Sequence, residues 1–119
     1  MRKVIHIPIY TDIVVFYIED TIKEAISKMD KDYQLEDRSD YNMLGLTSVI
    51  TSSKLEREHI AICIEYTSKA STYCHECLHA AYYILDSKDI SCPESNHEPL
   101  AYLMSYLIDE IEKYMKHAK

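Results

Sequence analysis

Apolar residues recur along this chain with two different periods, and the switches between them divide it into strands and helices. Residues 3–10 are rich in β-branched side chains and predict a strand, with Pro8 placing it at an edge or an end. Asp12 offers a turn. Residues 13–18 form a more continuously apolar run, which predicts a strand buried on both faces. Ile22, Ala25, Ile26 and Met29 then follow helical spacing behind a capping residue, Asp20 or Thr21, so a helix to about Lys31 is predicted. Residues 30–40 carry many charges and few large apolar groups, and read as a solvated connection.

Two more strands are predicted at 46–51 and 58–66, joined by a hairpin connection at 52–57. In the later one, Ile60, Ile62 and Ile64 alternate with His59, Ala61, Cys63 and Glu65, giving one apolar and one mixed face. That mixture is expected of a sheet edge. From Ser71 or Thr72 to about Asp86 a helix is predicted whose stripe is Cys74, Cys77, Leu78, Ala81, Ile84 and Leu85. His75, His79, Tyr82 and Asp86 lie on another face of it. A polar connection at 87–96 leads to a last helix reaching about Lys116. Leu100, Leu103, Met104, Leu107, Ile108, Ile111 and Met115 form its packing face, and Asp109, Glu110 and Glu112 its outer side. The whole predicts an α+β fold, one domain over residues 1–119, with a mostly antiparallel or mixed sheet of about four strands.

Composition narrows the function. The net charge of −7 and the scattering of basic residues argue against a nucleic-acid binder. No apolar run approaches the ~18 residues of a membrane span, and the amino-terminal residues lack the pattern of a signal peptide, so a cytoplasmic location is expected. There Cys63, Cys74, Cys77 and Cys92 are expected to be reduced. Gly45 is the one glycine, which excludes glycine-rich phosphate loops.

The candidate chemistry sits in the helix at 71–86. His75, Glu76 and His79 form the pattern H-E-x-x-H. Histidines four apart on a helix share a face and can reach one ion. Zinc takes imidazole nitrogen readily, and three protein ligands leave a fourth position open for water. Glu76 projects near the same side, where it can take a proton from that water.

A motif of this length carries a false-positive risk, so a further feature is needed, and Glu98 supplies one. It follows His79 by eighteen intervening residues and opens the next helix. The combined pattern resembles the gluzincin metallopeptidases, whose third zinc ligand is a glutamate on the helix after the histidines, often within N-E-x-x-A. Here the matching letters are Asn96, Glu98 and Ala101, with His97 inserted between the first two. The order of strands, metal helix and glutamate helix is similar too, and the chain also resembles short metallopeptidase-like proteins encoded by bacteriophages. The resemblance covers 58–112. It implies a zincin-like fold, zinc held by His75, His79 and Glu98, and Glu76 as general base in the hydrolysis of a peptide or protein substrate. It also implies that the strand ending at Tyr66 pairs with an extended substrate.

Two departures stand out. Tyr102 occupies the position where many family members carry an acidic partner for the ligands, leaving Asp86 as a candidate for that role. The chain is far shorter than the family's enzymes. Tyr102, His97 and Tyr83 are all candidates for the oxyanion stabiliser. Each site residue also has a plainer reading. His75, His79 and Glu76 fit a solvated helix face, and Ser95 with Glu98 fits a capping box. Two alternatives to an enzyme remain: a non-catalytic binding or inhibitor module on a zincin fold, and a structural zinc domain using Cys74, Cys77, Cys92 and His97. Against the latter, Cys74 and Cys77 lie on the apolar stripe, where free cysteine behaves as a small hydrophobe.

Overall fold

The structure is a computed structural model, and it describes residues 1–36, 41–51, 55, 57–93 and 95–116. Seven elements follow in chain order: β1 (Arg2–His6), β2 (Ile13–Glu19), α1 (Ile22–Asp32), β3 (Leu46–Ile50), β4 (His59–Glu65), α2 (Ala70–Asp86) and α3 (Glu98–Glu112). The strands form one mixed sheet in the order β1-β2-β4-β3. β1 and β3 pair antiparallel to their neighbours, and β2 runs parallel to β4. The fold is α+β, as the two periods predict. Part of the expected 52–57 connection and part of the 30–40 segment lie outside the described residues.

The two central strands carry the core because helices cover both faces of the sheet. Side chains alternate across a strand. Val14, Phe16 and Ile18 therefore align with Ile60, Ile62 and Ile64 beneath α2 and α3, where Cys77, Ala81, Ile84, Leu103, Leu107 and Ile111 meet them. Val15, Tyr17, Ala61 and Cys63 face the other way, against Ala25, Ile26 and Met29 of α1. Each fully buried aliphatic side chain here contributes about 1.5–3 kcal/mol.

β4 is thus not a sheet edge. Its mixed face is buried on α1, where small Ala61 and Cys63 make room for the helix. Substrate pairing along β4 is ruled out because β2 and β3 already take its backbone groups, and the free edge on that side belongs to β3.

Local chemistry sets the helix starts. Thr21 caps α1 by accepting from the Glu24 N–H at 3.2 Å, and the Glu65 carboxylate accepts from the Ile22 N–H at 2.9 Å. α1 runs one residue beyond expectation, and Asp30, expected in solvent, is buried in its last turn. α3 begins at Glu98 with His97 as its cap residue and Pro99 in its first turn. That places Glu98 first in the helix rather than third, which removes the capping box. Asn96 Oδ1 accepts from the Glu98 N–H instead, at 3.2 Å. Glu112 is not simply turned outward, since Tyr73 on α2 donates to it at 3.1 Å. Among the described residues, no helix is long and apolar enough to cross a membrane.

Candidate functional site

α2 sorts its residues into three zones. Tyr73, Cys77, Ala80, Ala81, Ile84 and Leu85 recur at helical spacing and are buried on the sheet and α3. His75 and His79 face solvent one turn apart. Glu76 stands on the border, against the start of β3, with only 7% of its surface exposed. It is not the solvated glutamate of the plainer reading.

The two imidazoles are turned toward each other. Their Nε2 atoms are 3.1 Å apart, and the rings meet nearly edge to face, with centroids 4.6 Å apart. Two nitrogens that each lie about 2.0–2.1 Å from one tetrahedral zinc are separated by roughly 3.3 Å, so the pair fits a shared ion. Glu98 is exposed in the first turn of α3. Among the described residues, no group of three or more His, Cys, Asp or Glu side chains comes together as a metal site. The donors that do converge are the two histidines.

Glu76 is held from β3 and the residues just before it. Thr47 Oγ1 lies 2.8 Å from Glu76 Oε1 and 3.1 Å from the Glu76 carbonyl oxygen. A hydroxyl has one proton, and the charged, nearer oxygen is the better acceptor. Gly45 packs on the same side chain so closely that a Cβ there would stand 3.0 Å from Glu76 Cγ and 3.1 Å from Oε2. A cleft of about 410 Å³ opens at this place, lined by Leu44, Gly45, Ser71, Thr72, His75 and Glu76. The general-base candidate and one ligand candidate therefore share a cavity with the edge-strand approach.

Neither Gly45 nor Thr47 is singled out by reading the sequence for motifs. One signal was present: a lone glycine beside a strand marks a close approach to its backbone. Tyr102, Tyr83 and His97, the candidate oxyanion stabilisers, are all exposed, and none lines the cleft. Asp86 lines a different hollow with Tyr82, Leu85 and Cys92.

The cysteines behave as core residues. Cys77 is fully buried, while Cys74 and Cys92 pack against the same cluster. Burial, reinforced by the neighbouring Cys74, Glu76 and Glu112, pushes the Cys77 thiol up to about 12. Burial and then Glu112 raise the Cys74 thiol as well. Both shifts work against the thiolate that zinc requires. A second hollow, about 440 Å³, lies among Tyr10, Asp12, Arg57 and Lys88. Its cations are engaged, Lys88 with Asp12 and Arg57 with the Thr11 carbonyl at 2.6 Å.

Comparison of the chain with models of protein families, with curated proteins and with solved structures found no match.

Proposed function

We propose that this protein is a zincin-like, zinc-dependent hydrolase acting on peptides or proteins, with His75, His79 and Glu98 as ligands and Glu76 as the general base. One observation carries the proposal: two imidazole nitrogens 3.1 Å apart, beside a cleft that one of the rings shares with a buried carboxylate. Zinc, when bound, supplies a Lewis acid and an open position for water. His75 and His79 present their nitrogens from a single helix turn, so their spacing is set before the ion arrives. Glu76 takes the proton of the attacking water and returns it to the departing amine. The free edge of β3 offers unpaired backbone groups to an extended substrate.

Metal analysis of the purified chain tests the ligands. About one zinc per chain is expected, lost in His75→Ala and His79→Ala, weakened in Glu98→Gln and retained in Cys74→Ser with Cys77→Ser. A peptide library tests the chemistry. Glu76→Gln keeps zinc and loses cleavage; full activity in that variant contradicts the assigned base.

A second reading is a binding module that keeps the fold and the metal without turnover. It is favoured by the convergence of two donors rather than three among the described residues. Cleavage by the wild type and not by Glu76→Gln eliminates it.

A further inference from the structure

We infer that the outer edge of β3 is a self-association surface, on which a second copy of this chain pairs antiparallel across a two-fold axis at Ser48. The inference stands apart from the hydrolase reading. It adds that self-pairing occupies the edge which that reading gives to an extended substrate.

The two edges of the sheet are built differently. β1 carries Arg2 and Lys3, both exposed, and runs on to Pro8. Charged side chains, lysine above all, and proline are the usual means of stopping an edge from pairing with another chain. β3 has none of them. Its residues are Leu46, Thr47, Ser48, Val49 and Ile50, and among the described residues no backbone hydrogen bond reaches it beyond its ladder with β4. Val49 is 37% exposed, and Leu44, just ahead of the strand, 79%. Unpaired backbone groups beside exposed apolar side chains make β3 the edge that is open to a partner strand.

Charge decides which occupant fits. The chain carries −7, so two copies repel, and contact is least opposed where neither presents a charge. Residues 41–53 hold no charged side chain and are the longest such stretch in the sequence. β3 lies within it. The strand is also its own complement. Antiparallel pairing about Ser48 sets Leu46 opposite the partner's Ile50 and Thr47 opposite the partner's Val49. Apolar and β-branched pairs of this kind stabilise a ladder. An axis perpendicular to the sheet keeps each face with its like, α1 of both copies on one side and α2 and α3 of both on the other. Two four-stranded sheets then continue as one. The contact is short, so the association is weak.

Sedimentation velocity of the full chain, from micromolar to near-millimolar concentration, tests the inference. The wild type is expected to pass from monomer to dimer and no further, because an isologous contact consumes both β3 edges. Added salt strengthens the dimer, since it screens the repulsion between copies while the contact itself is uncharged. Ser48→Lys and Ser48→Glu each set like charges face to face at the axis, and each is expected to weaken the dimer at least about tenfold. Mixed together, the two variants pair again. That rescue locates the axis and excludes misfolding as the cause of either loss. Val49→Lys, at a more exposed position, gives the same loss should the Ser48 variants fail to fold. A wild type that stays monomeric at the highest concentration overturns the inference and leaves the edge to a foreign strand. A dimer untouched by all three substitutions overturns it as well, because the contact then lies elsewhere. So does a mixture that pairs no more tightly than either variant alone.

Discussion

The polar clusters on opposite faces of the sheet use similar residues in contrasting ways. On the α1 face, Tyr17 donates to Asp32 at 2.8 Å and accepts from Arg2 at 3.1 Å, while the Tyr33 hydroxyl meets His59 Nδ1 at 2.8 Å. That network is closed, and it ties β1, β2 and β4 to the end of α1. Burial raises the Tyr17 phenol far above its ordinary range, with Asp32 adding to the effect against the opposing bond from Arg2. On the α2 face, the two imidazoles are exposed and turned toward each other, and Thr47 engages one oxygen of the neighbouring carboxylate. The contrast is instructive. Histidine and carboxylate in a closed network stabilise a fold, while the same groups left open at a cleft are available for chemistry.

Glu76→Gln breaks the open cluster most severely. Loss of a general base is expected to cost about 100- to 10,000-fold in turnover, while a melting curve shows the fold retained. Zinc sharpens the contrast next. A ligand bound only by the folded state at a hundred times its Kd stabilises by about 2.7 kcal/mol. The thermal midpoint of the wild type should rise on zinc addition, and that of His79→Ala should not. Tyr17→Phe attacks the closed cluster instead. Its partners Arg2 and Asp32 are exposed and stay within reach of water, so the loss is expected to cost about 0.5–1.5 kcal/mol in denaturant unfolding, with zinc affinity and turnover unchanged.

The smallest effect concerns pH. Burial first, and then Arg2 and Arg57, lower the pKa of His59. The unfolded chain then takes up a proton at the ordinary histidine value, while the folded chain still resists it. Stability due to this residue is therefore present above about pH 6.5 and is lost as pH falls below it. His59→Gln should flatten that part of the stability profile, measured by unfolding between neutral and mildly acidic pH.

Local features were legible in the chain and tertiary ones were not. The spacing of His75 and His79 is a property of one helix turn, and the continuous run in β2 announced burial on both faces. The position of β4 was not legible. Alternation with Ala61 and Cys63 looks like a half-polar edge until α1 is known to need that space. The relation of Glu98 to the histidines spans a connection and two helices, which spacing alone does not fix. Gly45 and Thr47 are not legible for the same reason: their meaning lies in the side chain they face across the fold.

X-ray absorption at the zinc edge of the metal-loaded protein probes the central claim most directly. The account predicts one zinc with two imidazole nitrogens and oxygen donors at about 2.0–2.2 Å, and loss of the imidazole signal in His75→Ala. Sulfur scattering at about 2.3 Å, or failure of the chain to retain stoichiometric zinc, contradicts it.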